Sequence, residues 1–138
     1  MAVNKETDLG TITISNSVIA QIIFDGMMQP GCRNRIWPAT PRGRQIGILE
    51  KFTDTEFSMY ISVQHSEDHR IMLEFSVICQ FGISIKRTTR ILADYIAEQF
   101  EYLGGSMPAQ ITVNIAGVRS RQKARRSTKV VYRYETNG

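Results

Sequence analysis

Four side chains that bind metals or transfer protons lie within five residues of one another, at His65, Glu67, Asp68 and His69. Imidazole nitrogens and carboxylate oxygens are common ligands of zinc and other divalent ions. A metal site needs three or four convergent ligands, however, and the side chains of a short polar turn diverge. The chain has no third histidine. We therefore interpret the cluster as a solvated turn and predict neither a metal nor a cofactor.

Other residue patterns that support catalysis are missing from the sequence. It contains no Gly-x-Ser-x-Gly nucleophile motif and no glycine-rich phosphate loop. The two cysteines, Cys32 and Cys79, are too few for a disulfide framework and are expected to be reduced, unreactive thiols. Asp94, Glu98 and Glu101 are spaced along the polar side of a predicted helix. We expect no enzyme and no small-molecule substrate.

Basic residues are concentrated in the last 20 residues. This tail holds seven of the 17 lysines and arginines, whereas 12 of the 13 acidic residues precede it. A run of this kind can bind nucleic-acid phosphates, an anionic lipid surface or an acidic protein. The sequence leaves these three partners open, together with a solvated tail that binds none of them. The residues of the run are Arg119, Arg121, Lys123, Arg125 and Arg126.

The chain after the basic run has the pattern of an extended strand. Residues 128–135 are rich in β-formers, among them Val131, Tyr132 and Tyr134. We predict that this segment pairs with the sheet edge of a neighbouring subunit in a homo-oligomer. Trp37, in a long connection, is either an interface anchor or a lid over its own core.

The remaining sequence predicts a single domain over residues 1–118, followed by the basic extension 119–138, which we expect a partner or neighbouring subunit to order. Its 138 residues are the length of one domain. Ser15 is a suitable helix N-cap, and Gly82 suits a turn with positive φ. The predicted elements are a strand at 11–14, a helix at 16–24, an irregular connection at 26–47, paired strands at 57–63 and 71–79, a helix from 84 or 85 to 103, and a strand at 110–116.

The order β-α-(loop)-β-β-α-β favours an α+β fold. We expect a two-layer sandwich with a mainly antiparallel sheet and two helices on one face. The longest apolar runs span three or four residues, far fewer than the roughly 20 that cross a bilayer. No signal-peptide pattern opens the chain, so a cytoplasmic location is expected.

Four segments carry a resemblance to a known family. "LGTITISNSVIAQI", the junction "QFGISI", a long helix ending in "GG" and the strand "ITVNIAGV" occur in the order typical of the alkaline shock, or envelope stress response, protein family of Gram-positive bacteria. The resemblance covers residues 9–24 and 57–118. The chain departs from the family pattern in its longer insert at 26–56, in its own tail after Val118, and in Lys86, Arg87 and Arg90, where acidic residues are more usual.

The resemblance implies small cytoplasmic, non-enzymatic proteins that self-associate and are held near the membrane by small anchor proteins. It implies links to envelope stress and, for some members, to lipid metabolism, and it supplies no catalytic residues. Our leading interpretation is a self-associating scaffold that acts through protein–protein contacts. The alternative is a nucleic-acid-binding module that uses the basic run 119–126 together with Arg33, Arg35, Arg42 and Arg44.

Overall fold

The protein is described by a computed structural model that covers residues 2–7, 10–46, 54–68, 70–104, 106–119 and 128–134. Strands and helices are mixed along the chain, and the α+β class predicted from the sequence is confirmed. The elements are β1 Ala2–Thr7, β2 Gly10–Ser15, α1 Asn16–Met27, β3 Ile36–Ala39, α2 Asp54–Ser58, β4 Ser62–His65, β5 Ile71–Gln80, α3 Ile85–Gly104, β6 Gln110–Arg119 and β7 Thr128–Arg133.

The main sheet is built around a parallel pair of long strands, β5 and β6. Strands β3 and β4 pair with β5, and β7 pairs with β6, all antiparallel. The prediction of a mainly antiparallel sheet is thus confirmed for the pairs formed by β3, β4 and β7. It is wrong for the central pair, β5 with β6, which is parallel. The cause is α3, whose 20 residues return the chain about 30 Å, so that β6 starts at the same end as β5.

The first strand predicted from the sequence lies outside this sheet. Strand β2 pairs antiparallel with β1, and the two form a separate two-stranded sheet. Ser15, at the end of β2, caps α1 as predicted, because its hydroxyl accepts a hydrogen bond from the Val18 amide at 3.3 Å.

The connection predicted to be irregular contains a strand of the main sheet. β3 occupies residues 36–39 and pairs with the last residues of β5. Pro38 and the proline and glycine residues on either side of β3 obscured the strand pattern in the sequence. Pro38 is compatible with an edge strand, because its missing amide hydrogen costs no ladder bond there. Trp37 therefore lies on a strand, directly opposite Ile78.

The predicted hairpin of two strands is confirmed, but its first strand is shorter than expected. β4 spans only 62–65, and residues 54–58 form the short helix α2. Phe57 is fully buried and meets the ring of Phe75 edge-on at 6.3 Å between centroids. Met59, expected on the same face, is 73% exposed. The two side chains would share a face on a strand, but the helical turn directs them apart.

One hydrophobic core joins the helices to the inner face of the main sheet. α1 contributes Ile19, Ile22 and Ile23, whereas Val18 is exposed. α3 contributes small as well as large residues, since Ala93 and Ala97 are buried beside its larger apolar side chains. The inner face of the sheet is formed by Leu73, Phe75, Val77, Cys79, Ile111, Val113 and Ile115.

The end of the chain joins the same sheet. β7 pairs with β6 over Gln110–Ile115, and Tyr132, 9% exposed, belongs to the core. Residues 128–133 are therefore ordered by their own chain, which corrects the expectation that a neighbouring subunit orders them. The sheet continues beyond the predicted boundary at residue 118.

The pairing of β5 with β6 contains one irregularity. Val77 is opposite Ile115, but the next residue, Ile78, is opposite Gly117. Ala116 is thus an extra residue in β6, a β-bulge that locally interrupts the regular pairing.

Candidate functional site

The contact of Trp37 with Arg119 is the centre of an exposed surface at one end of the main sheet. The guanidinium carbon of Arg119 lies 4.9 Å from the centre of the Trp37 ring, a cation–π distance. Trp37 is half-buried and Arg119 is exposed. Two residues that the sequence selected separately are therefore brought together, from strands on either side of β5.

Backbone hydrogen bonds place two more side chains at this end. The Gln80 amide donates to the Arg35 carbonyl at 2.8 Å, and the Phe81 amide donates to the Arg119 carbonyl at 2.9 Å. Arg35 is exposed, and Phe81 is 69% exposed. Phe81 occupies the turn that follows β5, where Gly82 has a φ of 86°, the positive value expected from the sequence.

The first turn of α3 carries two further cations. Its Lys86 carbonyl accepts a hydrogen bond from the hydroxyl of Tyr132, which lies opposite Ile111, near the other end of β6 from Arg119. The turn 81–84 leads directly from β5 into α3, and the Ser84 hydroxyl accepts a hydrogen bond from the Arg87 amide at 3.1 Å. Lys86 and Arg87 are both exposed. We call the surface around Trp37 and Arg119 the basic end. It consists of Arg35, Trp37, Phe81 and Arg119.

Sequence reasoning missed part of the basic end. It selected Trp37 and Arg119 for interaction and named Arg35 only for nucleic acid. Lys86 and Arg87 stood out as departures from the family pattern, and the structure bonds the Lys86 carbonyl to Tyr132. Phe81 was not selected either, and its exposure follows from its place in the turn after β5.

The other residues selected from the tail fall into two groups. Arg121, Lys123, Arg125 and Arg126 lie outside the described residues. Val131, 43% exposed, and the two tyrosines lie on or beside β7. Only Val131 of this second group presents an apolar side chain to solvent.

Tyr132 fastens β7 to the start of α3. Its hydroxyl lies 2.7 Å from the Thr89 hydroxyl and donates to the Lys86 carbonyl at 3.2 Å. The Arg90 guanidinium lies over the Tyr132 ring at 5.4 Å. These contacts give Tyr132 a structural role within its own chain, and its interface role stays a prediction.

Tyr134 fastens the chain after β7 in a similar way. Its hydroxyl donates to Asp94 at 3.0 Å, and its carbonyl accepts from Arg70 at 2.9 Å. Burial first, and then the bond to Asp94, raise the pKa of Tyr134 well above its usual value of 10.0. The phenol stays protonated and continues to donate.

The four arginines proposed for nucleic-acid binding lie in the segments on either side of β3. Arg33, Arg35, Arg42 and Arg44 are all exposed. Arg44 is paired with Glu56 at 2.7 Å, while Arg35 lies at the sheet end beside Gln80.

The side chains with catalytic potential are separated or buried. His65 is exposed at the end of β4, and His69 lies outside the described residues. Burial raises the pKa of both thiols, Cys32 and Cys79, to about 11, so little thiolate exists at neutral pH. Among the described residues no group of three or more His, Cys, Asp or Glu side chains could hold a metal ion.

A shallow groove of about 630 Å³ runs beside β4. Its lining includes the exposed Met59 and the side chain of Asn16, whose Oδ1 is buried with no hydrogen-bond partner among the described residues. Most of the lining residues come from the segment 58–64. The groove lies at the edge of the sheet opposite β7.

The described helices include none that is long and apolar enough to cross a membrane. Comparison with known proteins gives one match. A model of the alkaline shock protein family, described as having a cell envelope-related function, matches residues 4–120. No curated protein and no solved structure shows a significant match.

The family model covers most of the chain. It agrees with the resemblance carried by the opening strand and helix, the turn after β5 and strand β6. The chain belongs to the alkaline shock protein family, whose function relates to the cell envelope.

Proposed function

We propose that this protein is a non-catalytic scaffold of the cell envelope stress response, which self-associates and acts through protein–protein contacts. The family gives the envelope setting. The observation that carries the self-association is β7, the terminal strand of the main sheet within the part of the chain that the structure describes, with Val131 exposed upon it. A terminal strand has one edge unused by its own sheet and is a template for pairing with another chain.

Pairing of β7 with β7 of a second copy would join two main sheets into one. The outer edge of β7 offers backbone donors and acceptors, and Val131 offers apolar area beside them. β7 is held firmly in its own chain by the contacts of Tyr132 with Thr89 and Lys86. It is therefore a rigid edge, which loses little conformational entropy when a partner pairs with it.

The same proposal includes a cytoplasmic location near the membrane, reached through an anchor protein. Support comes from the family's envelope-related function and from the resemblance described above. A scaffold of this kind gains from several copies, because linked weak sites bind an anchor more tightly than one site does.

Substitution of Val131 by Asp tests the self-association. A charge on an edge strand opposes pairing with a second copy, so light scattering should give the monomer mass for Val131→Asp and a dimer or larger mass for the wild type. Val18→Asp is the matched control, because Val18 is 45% exposed and Val131 is 43% exposed. The control should keep the wild-type mass. A monomeric wild type, or an unchanged mass for Val131→Asp, would refute the proposal.

A further inference from the structure

The basic end brings two arginines to either side of one residue of β5. The amide of that residue, Gln80, donates to the Arg35 carbonyl at 2.8 Å. Gln80 is also opposite Arg119 in the parallel pairing of β5 with β6. Neighbouring strands lie about 4.8 Å apart, so the backbones at Arg35 and Arg119 are about 10 Å apart. Both side chains are exposed, and the two charges therefore lie close enough to meet one partner.

The Arg119 side chain is held in place before any partner binds. Its guanidinium carbon lies 4.9 Å from the centre of the Trp37 ring, and Trp37 is half-buried on β3. An arginine that rests on an aromatic face can still present its N–H donors to a carboxylate. A side chain that is already ordered loses less conformational entropy when it binds. Arg119 is thus a prepared donor.

Neither arginine has an acidic partner among the described residues. The ion pairs found in that part of the chain use Arg44, Arg70, Arg90 and Lys129 instead. Two neighbouring charges of the same sign attract an anionic group from outside the chain. The planar fork of N–H donors in arginine matches a carboxylate, which it binds with two parallel hydrogen bonds. Carboxylates are therefore the groups that complement Arg35 and Arg119.

An exposed aromatic ring adds an apolar contact beside these charges. The Phe81 amide donates to the Arg119 carbonyl at 2.9 Å, and the Phe81 side chain is 69% exposed. Aromatic residues and arginine are enriched in protein–protein interfaces, where they account for much of the binding energy. The composition of the basic end is that of such an interface.

A lipid surface and nucleic acid match the basic end less well. Each cation near an anionic bilayer strengthens binding only about fivefold, so two arginines and one ring make a weak attachment. Single-stranded nucleic acid uses several exposed rings on which successive bases stack. One face of the Trp37 ring is already covered by Arg119, which leaves Phe81 as the available ring at the basic end.

We infer that the basic end binds an acidic, partly apolar segment of another protein. Carboxylates of that segment pair with Arg35 and Arg119, and an apolar side chain covers Phe81. Residues two or three apart in an extended segment are separated by about 7–10 Å, which matches the spacing of the two arginines. The inference rests on the proposed function only in naming a class of partner for its protein–protein contacts, and it does not require self-association through β7.

Tryptophan fluorescence tests the inference, because Trp37 is the single tryptophan of the chain. The full chain is titrated at low salt with a synthetic peptide that alternates glutamate and leucine. This peptide should change the Trp37 emission in a saturable way, and its binding should weaken as salt is raised. A matched peptide with glutamine in place of glutamate should bind at least tenfold more weakly. Anisotropy of a labelled peptide gives a second measure of affinity.

Removal of the two charges gives the sharpest comparison. Arg35→Gln with Arg119→Gln should weaken binding of the acidic peptide at least tenfold, because hydrogen bonds between charged groups are among the strongest. The matched control, Lys129→Gln with Arg133→Gln, removes two exposed cations from β7 and should bind like the wild type. Equal losses in the two double variants would overturn the inference.

The apolar contact is tested separately. Phe81→Ser should weaken binding about tenfold, and serine in place of leucine in the peptide should cause a similar loss. Phe81 is exposed, so the variant should fold like the wild type, and urea unfolding checks this. Unchanged binding by Phe81→Ser would remove the apolar part of the inference.

The outcomes separate this inference from the proposed function. Val131→Asp leaves the basic end intact, so it should bind the acidic peptide like the wild type even though it is expected to be monomeric. No saturable binding of the acidic peptide at low salt would overturn the inference, and so would equal affinities for the glutamate and glutamine peptides. A smaller light-scattering mass for Arg35→Gln with Arg119→Gln would assign the surface to a second copy of this chain instead.

Discussion

The carboxylate of Asp68 shows how a small exposed turn is held together. It accepts a hydrogen bond from the Ser66 hydroxyl and another from Arg70 Nε at 2.8 Å. These bonds, the Ser66 bond first, lower the pKa of Asp68 from its ordinary 3.8 to about 2. Arg70 also donates to the Tyr134 carbonyl, so the turn is tied to the end of the chain. The cluster that resembled a metal site in sequence thus works as a turn.

Asp68→Asn should lower stability at neutral pH and much less in acid. The folded pKa lies below the unfolded one, so the carboxylate stabilises the fold above about pH 4, and this stabilisation is lost as pH falls to about 2. Urea unfolding of wild type and variant between pH 2 and 7 measures the difference. Glu67→Gln, in the same turn, is the control. A difference that stays constant across this range would contradict the assignment.

Residue types alone indicated some of these positions and not others. Ser15 was predicted as an N-cap and Gly82 as a turn glycine, because each role depends on local backbone geometry that the residue type reveals. The meeting of Trp37 with Arg119 could not be predicted. It requires both strands to pack beside β5, and no local pattern specifies that arrangement.

The crossing of α1 and α3 depends on a residue without a side chain. A Cβ atom at Gly26 would lie 2.7 Å from Leu92 Cδ1 and 3.0 Å from Tyr95 Cδ1, closer than packed atoms approach. Leu92 is fully buried and has little room to move. Gly26 therefore lets the two helices approach closely.

Gly26→Ala should destabilise the protein by up to about 2 kcal/mol. Overpacking of a filled contact costs about 1–3 kcal/mol, whereas alanine recovers only about 1 kcal/mol of helix propensity. Thermal and urea unfolding measure the result. Gly117→Ala is the control, since its Cβ would meet Ile78 Cγ1 at an ordinary 3.6 Å. A Gly26→Ala variant as stable as the wild type would show that the helices can shift apart freely.

Elements with strong periodicity were predicted well, and elements defined by their partners were not. α3 has a long amphipathic pattern and was located almost to the residue. The parallel pairing of β5 with β6 follows from the returning helix between them, a rule of connection that strand alternation does not express. β3 has only four residues, and proline and glycine around it outweighed its strand signal.

The fold as a whole is completed by the end of the chain. β7 supplies the last strand of the sheet and a core tyrosine, and the bonds of Tyr132 and Tyr134 connect it to α3. The extension is therefore part of the domain rather than an arm added to it.

A chain that ends at Ser127 should be much less stable than one that ends at Tyr134. Loss of Tyr132 from the core should by itself lower the free energy of unfolding by about 3 kcal/mol. Urea unfolding followed by circular dichroism measures this difference. Both chains keep the basic run, so the comparison isolates β7 from the charge that precedes it. Equal unfolding midpoints would mean that β7 is an accessory strand.

At this scale the sequence predicted the class of fold and the family correctly. Both follow from the order of elements, which the hydrophobic pattern reveals. The basic end was not predicted as a unit, because its members lie on β3, on β6 and in two turns that meet only after folding.

The extra residue in β6 determines which side of the sheet receives the charge of Arg119. Side chains alternate along a strand, and Ile115 faces the interior. With uninterrupted alternation, Arg119 would face the same way, and a guanidinium would be forced among aliphatic side chains. Insertion of Ala116 reverses the phase, so the guanidinium emerges on the side where Trp37 lies. The single inserted residue Ala116 thus sets the side of the sheet from which the Arg119 side chain projects.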